Sequence, residues 1–366
     1  MRRPAPVPEA LLLTAWRQEG LVSTVQCDRA GLTRDRRAAL RRAGDLAPVV
    51  RGVHDVAASV VRLIGPDAFV DHPGSGVPSV SGRRSVAPPQ LRATGGEVDV
   101  LRDPDHRRRR AVWTALLALG PERGVAVGCG ALALHGVQGL PLVIRPEAAL
   151  PRADGRAPRG GEPRGGAVTR CFRTGDVVVV GGARVVVPAL ALAQAVCELD
   201  REHAVAVLDS AVQRGLVPGE DLSHVRALTR GRRGAARLAD WWHLVDGRAQ
   251  SPLETRARLQ CVDAGVAPHD LQVPVRDGGG RVVARGDLGW LLADDRLLVA
   301  EIDGAGPHST PDALFHDRRR QNEIVATGAV LVRFTADDIR SGDVVPATIR
   351  RHLRRPAVLT PDHLTP

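Results

Sequence analysis

The chain has 366 residues. With 43% hydrophobic and 25% charged side chains it has an ordinary globular mix, which argues against wholesale disorder and suggests two or three domains. No apolar run approaches the roughly 18–20 residues of a bilayer span. The best run, Ala10–Trp16, stops at Arg17, so the expectation is a soluble cytoplasmic protein with no membrane partner. Basic residues number 51 against 41 acidic, a net charge of +10, and every basic residue is arginine. Such an excess favours an anionic partner, of which nucleic acid is the commonest, and the arginine fork suits phosphate and guanine. The five cysteines are scattered with no C-x-x-C spacing, which makes a disulfide framework or a structural zinc site improbable.

Residues 1–58 alternate short helical patterns with turns. Ser23 and Thr33 are N-cap residues, and Gly31 sits at the turn between two short helices. Leu32 and Leu40 are expected to face a small core with Leu11, Leu12 and Val22. The second helix, Thr33–Ala43, carries Arg34, Arg36, Arg37, Arg41 and Arg42, and Leu46–His54 is extended enough to form a wing. This is the rhythm of a winged helix-turn-helix, with Arg34, Arg37 and Arg41 as candidate DNA contacts. The bland alternative is a solvated basic face on a small helical domain.

Residues 59–106 read as a flexible linker or insertion, rich in Pro, Gly and Ser between 65 and 105. Residues 107–246 form a central mixed α/β block. Helices are expected near 111–119 and 130–136, strands near 167–172 and 177–187, then helices at 189–199, 202–213, 219–229 and 234–244. His135 on an Ala/Leu helix reads as a packed structural residue, and the Arg107–Arg110 run as a solvated helix start that could add phosphate contacts.

Residues 247–356 read as helix, three strands, helix, strand, helix, followed by a tail, 357–366. Ser251-Pro-Leu-Glu254 is a capping box. Strands at Leu271–Arg276, Val282–Leu292 and Leu297–Asp303 form an antiparallel meander, with Asp277-Gly-Gly-Gly280 as a hairpin turn. Asp287, Glu301 and Asp303 interrupt this apolar sheet, and carboxylates there are costly unless paired or metal-bound. Glu301 and Asp303 share one face, and Asp287 joins it only if the connecting loop has an odd number of residues. Converging carboxylates make an oxygen-rich Mg²⁺ (or Mn²⁺) site suited to phosphodiester hydrolysis.

Two resemblances sharpen these readings. Gly20, Leu21, Ala30, Gly31, Leu32, Arg41, Gly44, Leu46, Gly52 and Val53, with the segment Gly130–Pro141, resemble AbiEi-type antitoxins. There the winged helix is implicated in autoregulatory promoter binding. The ordered set Asp287, Glu301, Asp303, Gly304, His308, Asp317, Arg318, Arg320, Gln321, Asn322, Leu331, Arg333 and Phe334 is similar to the very-short-patch-repair-endonuclease-like branch of the PD-(D/E)XK superfamily.

The second resemblance implies a restriction-endonuclease-like α/β sandwich, making the whole chain an α+β multidomain protein. It implies that Glu254, Asp287 and Glu301 hold Mg²⁺, with Asp303 in place of the usual Lys and His308 as general base or water-orienting group. Arg318 and Arg320 would hold the scissile phosphate, and Asn322 would fix a side chain or phosphate. The expected function is a DNA-binding, Mg²⁺-dependent endonuclease in DNA repair or phage defence. The alternative is a non-catalytic antitoxin-like regulator with a degenerate nuclease-fold domain and a toxin or other defence-system partner.

Overall fold

The computed structural model describes residues 4–65, 68–69, 103–151, 168–170, 175–303 and 320–354. It is a mixed α/β protein whose chain divides into two compact units, Met1–Leu199 with Leu216–Ala236, and Asp200–Gly215 with Arg237–Pro366.

The first unit opens with α1 (Glu9–Arg17), β1 (Leu21–Ser23), α2 (Thr24–Arg29) and α3 (Arg34–Arg42). Ser23 caps α2 in a reciprocal box with Gln26, and the Thr33 hydroxyl accepts from the Arg36 amide to start α3. A hairpin of β2 (Ala47–Val50) and β3 (Val53–Asp55) turns at Gly52, whose φ of 82° suits glycine. The sheet order is β1-β3-β2, antiparallel throughout. Leu11, Leu12, Val22, Leu32 and Leu40 pack in one core, as their spacing indicates, joined by Leu46, Val60 and Phe69. Helix α4 (Ala57–Ile64) contributes to this core, so regular structure runs past residue 58.

The unit continues with α5 (Pro104–Leu119), α6 (Gly128–Leu134), the parallel pair β4 (Glu147–Ala149) and β5 (Val168–Arg170), the hairpin β6 (Val177–Val180) and β7 (Ala183–Val186), and α7 (Pro188–Ala195). The single strand expected over 177–187 is therefore a hairpin. Gly181 and Gly182 both adopt positive φ, which the β-branched valines before them rarely do, and they reverse the chain. Helix α8 (Arg201–Gln213) belongs to the second unit, and α9 (Leu222–Thr229) returns to the first. The helix expected over 234–244 is replaced by two short 3₁₀ turns, Ala235–Leu238 and Trp242–Leu244, after left-handed glycines at 231 and 234.

Within the Arg107–Arg110 run only Arg107 is exposed, as a solvated helix start requires; the other three are not. Arg109 is buried and pairs with buried Glu19 at 2.7 Å, while His106 meets the other Glu19 oxygen at 2.6 Å. Arg108 donates to the Leu140 and Pro141 carbonyls, and Arg110 bonds the Glu19 carbonyl and Asp55. The run ties α5 to its own unit. His135 is buried, with Nε2 2.8 Å from the Val186 carbonyl, and burial lowers its pKa, which suits a packed neutral imidazole.

The second unit contains α8, α10 (Pro252–Asp263), β8 (Asp270–Arg276), β9 (Val282–Leu291), β10 (Leu297–Asp303), a helix described over 320–326 (α11), β11 (Val330–Thr335), α12 (Ala336–Arg340) and α13 (Val344–Leu353). The sheet order is β11-β10-β9-β8; β8, β9 and β10 form the expected antiparallel meander, and β11 lies parallel to β10. Alternation along β10 explains the layering. Leu298, Ala300 and Ile302 face a core with Ala257, Cys261, Trp290, Phe334 and Ile349, whereas Val299 packs with Ile324 and Leu331 on the other face.

Helix α10 is fixed to α8 by a buried polar clamp. Asp209 accepts from the Thr255 hydroxyl at 2.8 Å, the Arg258 guanidinium at 2.9 Å and the Asp246 amide at 2.7 Å. Thr255 directly follows Glu254, so the clamp sets where Glu254 stands.

Candidate functional site

The loop joining β9 to β10, residues 292–296, has an odd number of residues. The ladder runs from Leu297–Leu291 to Ala300–Leu288, and one further step brings Asp287 opposite Glu301. Glu301 in turn pairs with Arg333 on β11. On the other side, the β8–β9 register between Leu271–Leu288 and Val273–Gly286 brings Gln272 opposite Asp287. Gln272, Asp287, Glu301 and Arg333 therefore form one polar row across all four strands of an otherwise apolar sheet.

The row sits where the strands change face. Leu271 and Leu288 belong to one core, yet Val275 and Ala284, four residues further along each strand, belong to the other. Period-2 alternation alone would keep each pair together. Gln272 takes φ 52°, a left-handed conformation rare for a residue with a side chain, and the Asp287 carboxylate accepts from the Ile302 amide at 2.7 Å. Asp287 thus caps a backbone group of its neighbour at the point where the regular ladder ends.

Glu254 reaches the row from the first turn of α10. Ser251 accepts from the Glu254 amide at 3.2 Å, as the capping motif predicts. The backbone amide that the Glu254 carboxylate accepts from is that of Gln250, at 2.8 Å, one residue before the cap, and it also accepts from Gln272 Nε2 at 3.0 Å. Glu301 lies 2.9 Å from Arg320 of α11 and 3.4 Å from Arg333, and Arg333 also meets Asp303 at 3.1 Å. Arg320 further donates to the Arg285 carbonyl at 2.6 Å.

Burial pushes the Glu254, Asp287 and Glu301 carboxyls above their usual range, and like charge adds to it. The Asp287 charge raises Glu254 and Glu301, and that of Asp303 raises Asp287 and Glu301. Hydrogen bonds from Gln250, Ile302 and Gln272 and the charges of Arg320 and Arg333 work in the opposite direction. Mutually repelling, half-desolvated carboxylates are stored electrostatic cost that a divalent cation would relieve.

Two observations bear on whether the residues suit such an ion. Glu301 Oε1 is buried and accepts no well-aligned hydrogen bond despite the nearby Arg320. The donor set is all oxygen, as a hard cation requires. Against this, no three His, Cys, Asp or Glu side chains among the described residues already converge at metal-holding separation. The donors fit Mg²⁺ or Mn²⁺ in kind, and arginines are paired to Glu301 and Asp303.

The expected residues Glu254, Asp287, Glu301, Asp303 and Arg320 are thus brought together. Asn322 is on an exposed position of α11, and His308 and Arg318 lie outside the described residues. Sequence reasoning missed Gln272, Gln250 and the pairing role of Arg333. The signal for Gln272 was present, since a glutamine inside Leu-Gln-Val-Pro-Val breaks an apolar strand.

The basic residues of α3 divide into two kinds. Arg34, Arg41 and Arg42 are exposed, as is Arg51 at the β2–β3 turn, a position the sequence reading did not select. Arg37 is mostly buried, pairs with Asp28 and donates to the Leu32 carbonyl. Arg41 lies 3.3 Å from His54 Nδ1, whose Nε2 meets the Thr24 hydroxyl at 3.0 Å. Burial, then Arg41 and Arg37, lower the His54 pKa to about 4. His54 is therefore neutral at physiological pH.

Comparison with known proteins gives sequence relatives without an assigned activity. The chain is 31% identical over 177 residues to Uncharacterized protein Rv2248 and to Uncharacterized protein MT2308, both of Mycobacterium tuberculosis. The match covers 48% of this chain and spans 64% of the length of each relative. No family model and no solved structure matches the chain. Among the described residues, no helix is long and apolar enough to cross a membrane.

Proposed function

We propose that the protein binds DNA and hydrolyses phosphodiester bonds with Mg²⁺ or Mn²⁺. The observation that carries this reading is the polar row Gln272–Asp287–Glu301–Arg333 with Glu254 beside it. Sheet interiors do not retain buried, mutually repelling carboxylates for stability, and such groups concentrate where chemistry is done. Helix, antiparallel meander, helix and a parallel fourth strand support a restriction-endonuclease-like arrangement for this unit.

Asp287 and Glu301 would hold the cation, with Glu254 or Asp303 completing the protein ligands. Once bound, the cation supplies water activation and charge stabilisation at the phosphate. Arg320 and Arg333 would exchange their carboxylate partners for phosphate oxygens as DNA enters. In the first unit, α2, α3 and the β2–β3 hairpin support a winged helix, with Arg34, Arg42 and Arg51 reaching phosphates and Arg41 held by His54. DNA repair or phage defence is the setting this activity fits.

The test is plasmid and mismatched-duplex DNA incubated with Mg²⁺ or Mn²⁺ and either wild type or Asp287→Asn. Metal-dependent cleavage abolished by the substitution supports the reading, and equal cleavage by both proteins refutes it. A second reading is favoured by the ion pairs of Arg320 and Arg333 with Glu301 and Asp303 and by the lack of any lysine. In that reading the sheet is a degenerate nuclease, and the protein is a metal-independent DNA-binding regulator, antitoxin-like, with a toxin as partner. Sequence-selective DNA binding without cleavage, unchanged by chelator, would decide for it.

A further inference from the structure

Gln272 combines three unusual properties. Its backbone is left-handed, its side chain is buried, and its carboxamide lies between two acids. Nε2 donates to Glu254 Oε2 at 3.0 Å and to Asp287 Oδ1 at 3.4 Å, while Oε1 accepts from Gln250 Nε2 at 2.9 Å. The NH₂ group thus offers one hydrogen to each carboxylate, which is the electrostatic service a cation would perform. Left-handed backbone at a side-chain-bearing residue is retained when the surroundings gain from where it aims that side chain.

A cation entering between Glu254 and Asp287 would meet this NH₂ head on, donor to cation. The terminal torsion of glutamine has two broad wells of nearly equal shape, so a half turn exchanges oxygen for nitrogen without changing volume. Gln250 can make the same half turn. Its oxygen would then accept from Gln272 Nε2, and the amide–amide hydrogen bond survives with donor and acceptor exchanged. Gln250 and Gln272 also line an open cavity of about 430 Å³ with Arg248 and Arg285, which leaves room for the movement.

We propose that Gln272 is a cation ligand of this site: paired with Gln250, its amide inverts when the divalent ion binds, replacing an NH₂ stand-in by Oε1. This rests on the metal-dependent reading above and adds a neutral oxygen donor to a shell of acids. Hard cations accept amide carbonyl oxygens readily. The Gln250 bond fixes which amide atom faces inward, as partners beyond the ligands do at metal sites.

Mn²⁺ binding to the full-length protein, read by electron paramagnetic resonance of the free ion and by calorimetry, tests this without reference to cleavage. Gln272→Glu places an anionic oxygen at the same position. It is expected to lower the metal-free melting temperature, because a third acid joins Glu254 and Asp287, and to tighten Mn²⁺ binding about tenfold. Gln272→Ala is expected to weaken binding about tenfold, the effect of losing a ligand or its direct support. Should Gln272→Glu fail to fold, Gln272→Ala still decides. Wild-type affinity in Gln272→Ala, or unimproved affinity in a folded Gln272→Glu, overturns the proposal while leaving the metal reading intact if Asp287→Asn abolishes binding. Mn²⁺ binding that is absent, or that persists in Asp287→Asn, overturns both.

Discussion

The clamp that positions Glu254 has a pH signature that can be worked out. Asp209 is 1% exposed. Burial is the largest influence on its carboxyl and pushes the pKa from 3.8 to about 6, against the lowering effects of Arg258, the Asp246 amide and Thr255. A carboxyl whose folded pKa is raised binds its proton earlier in the folded state, so this contribution to stability is fully present below 3.8 and is lost as pH rises through about 6. Full development corresponds to about 3 kcal/mol, and about 2 kcal/mol has accumulated by pH 4.5. Asp209→Asn removes the titration and keeps the shape. The stability of wild type relative to Asp209→Asn should therefore grow by about 2 kcal/mol between pH 7.5 and pH 4.5. Urea equilibration at each pH, followed by a hydrogen-exchange pulse at one fixed pH and mass spectrometry of the α10 peptide, reads this difference locally. A difference that stays constant within about 0.5 kcal/mol, or shrinks on acidification, would refute the reasoning.

Three further outcomes are expected. A Cβ added at Gly289 would overlap Val273 Cγ2, so Gly289→Ala should cost about 1–3 kcal/mol, partly recovered in the double variant with Val273→Ala, measured by urea denaturation. Arg333 lowers the Glu301 pKa, so Arg333→Gln should raise it further and move the acid limb of Mn²⁺ binding to higher pH in calorimetric titrations; an unmoved limb would separate Glu301 from the ion. Arg34→Ala, Arg42→Ala and Arg51→Ala should each reduce the salt dependence of DNA binding by about one counterion, read as the slope of log affinity against log salt, whereas Arg37→Ala should chiefly destabilise the fold around Asp28.

Much of the second unit was legible because its signals are local. The Asp277-Gly-Gly-Gly280 turn, the apolar strand Leu297–Asp303 and Ser251 before Pro252 each announce their element, and the odd β9–β10 loop places Asp287 in phase with Glu301. The first unit was legible for the same reason where Ser23 and Thr33 start their helices and Leu32 and Leu40 mark one face. The split hairpin at 177–187 and the broken helix at 234–244 were not, since their outcome turns on glycines adopting positive φ, which composition permits but does not require.

The sequence by itself determined that acidic residues interrupt an apolar sheet and that α3 is loaded with arginine, because residue type and spacing carry that information directly. Only the tertiary structure decided which of these groups are spoken for. Arg109 is locked to Glu19, Arg37 to Asp28, and Arg320 and Arg333 to the acidic row. It also decided that Gln272 stands between Glu254 and Asp287. Those pairings join residues 9 to 90 positions apart. They exist because strand register and helix docking bring them within hydrogen-bond reach, and no local pattern encodes that.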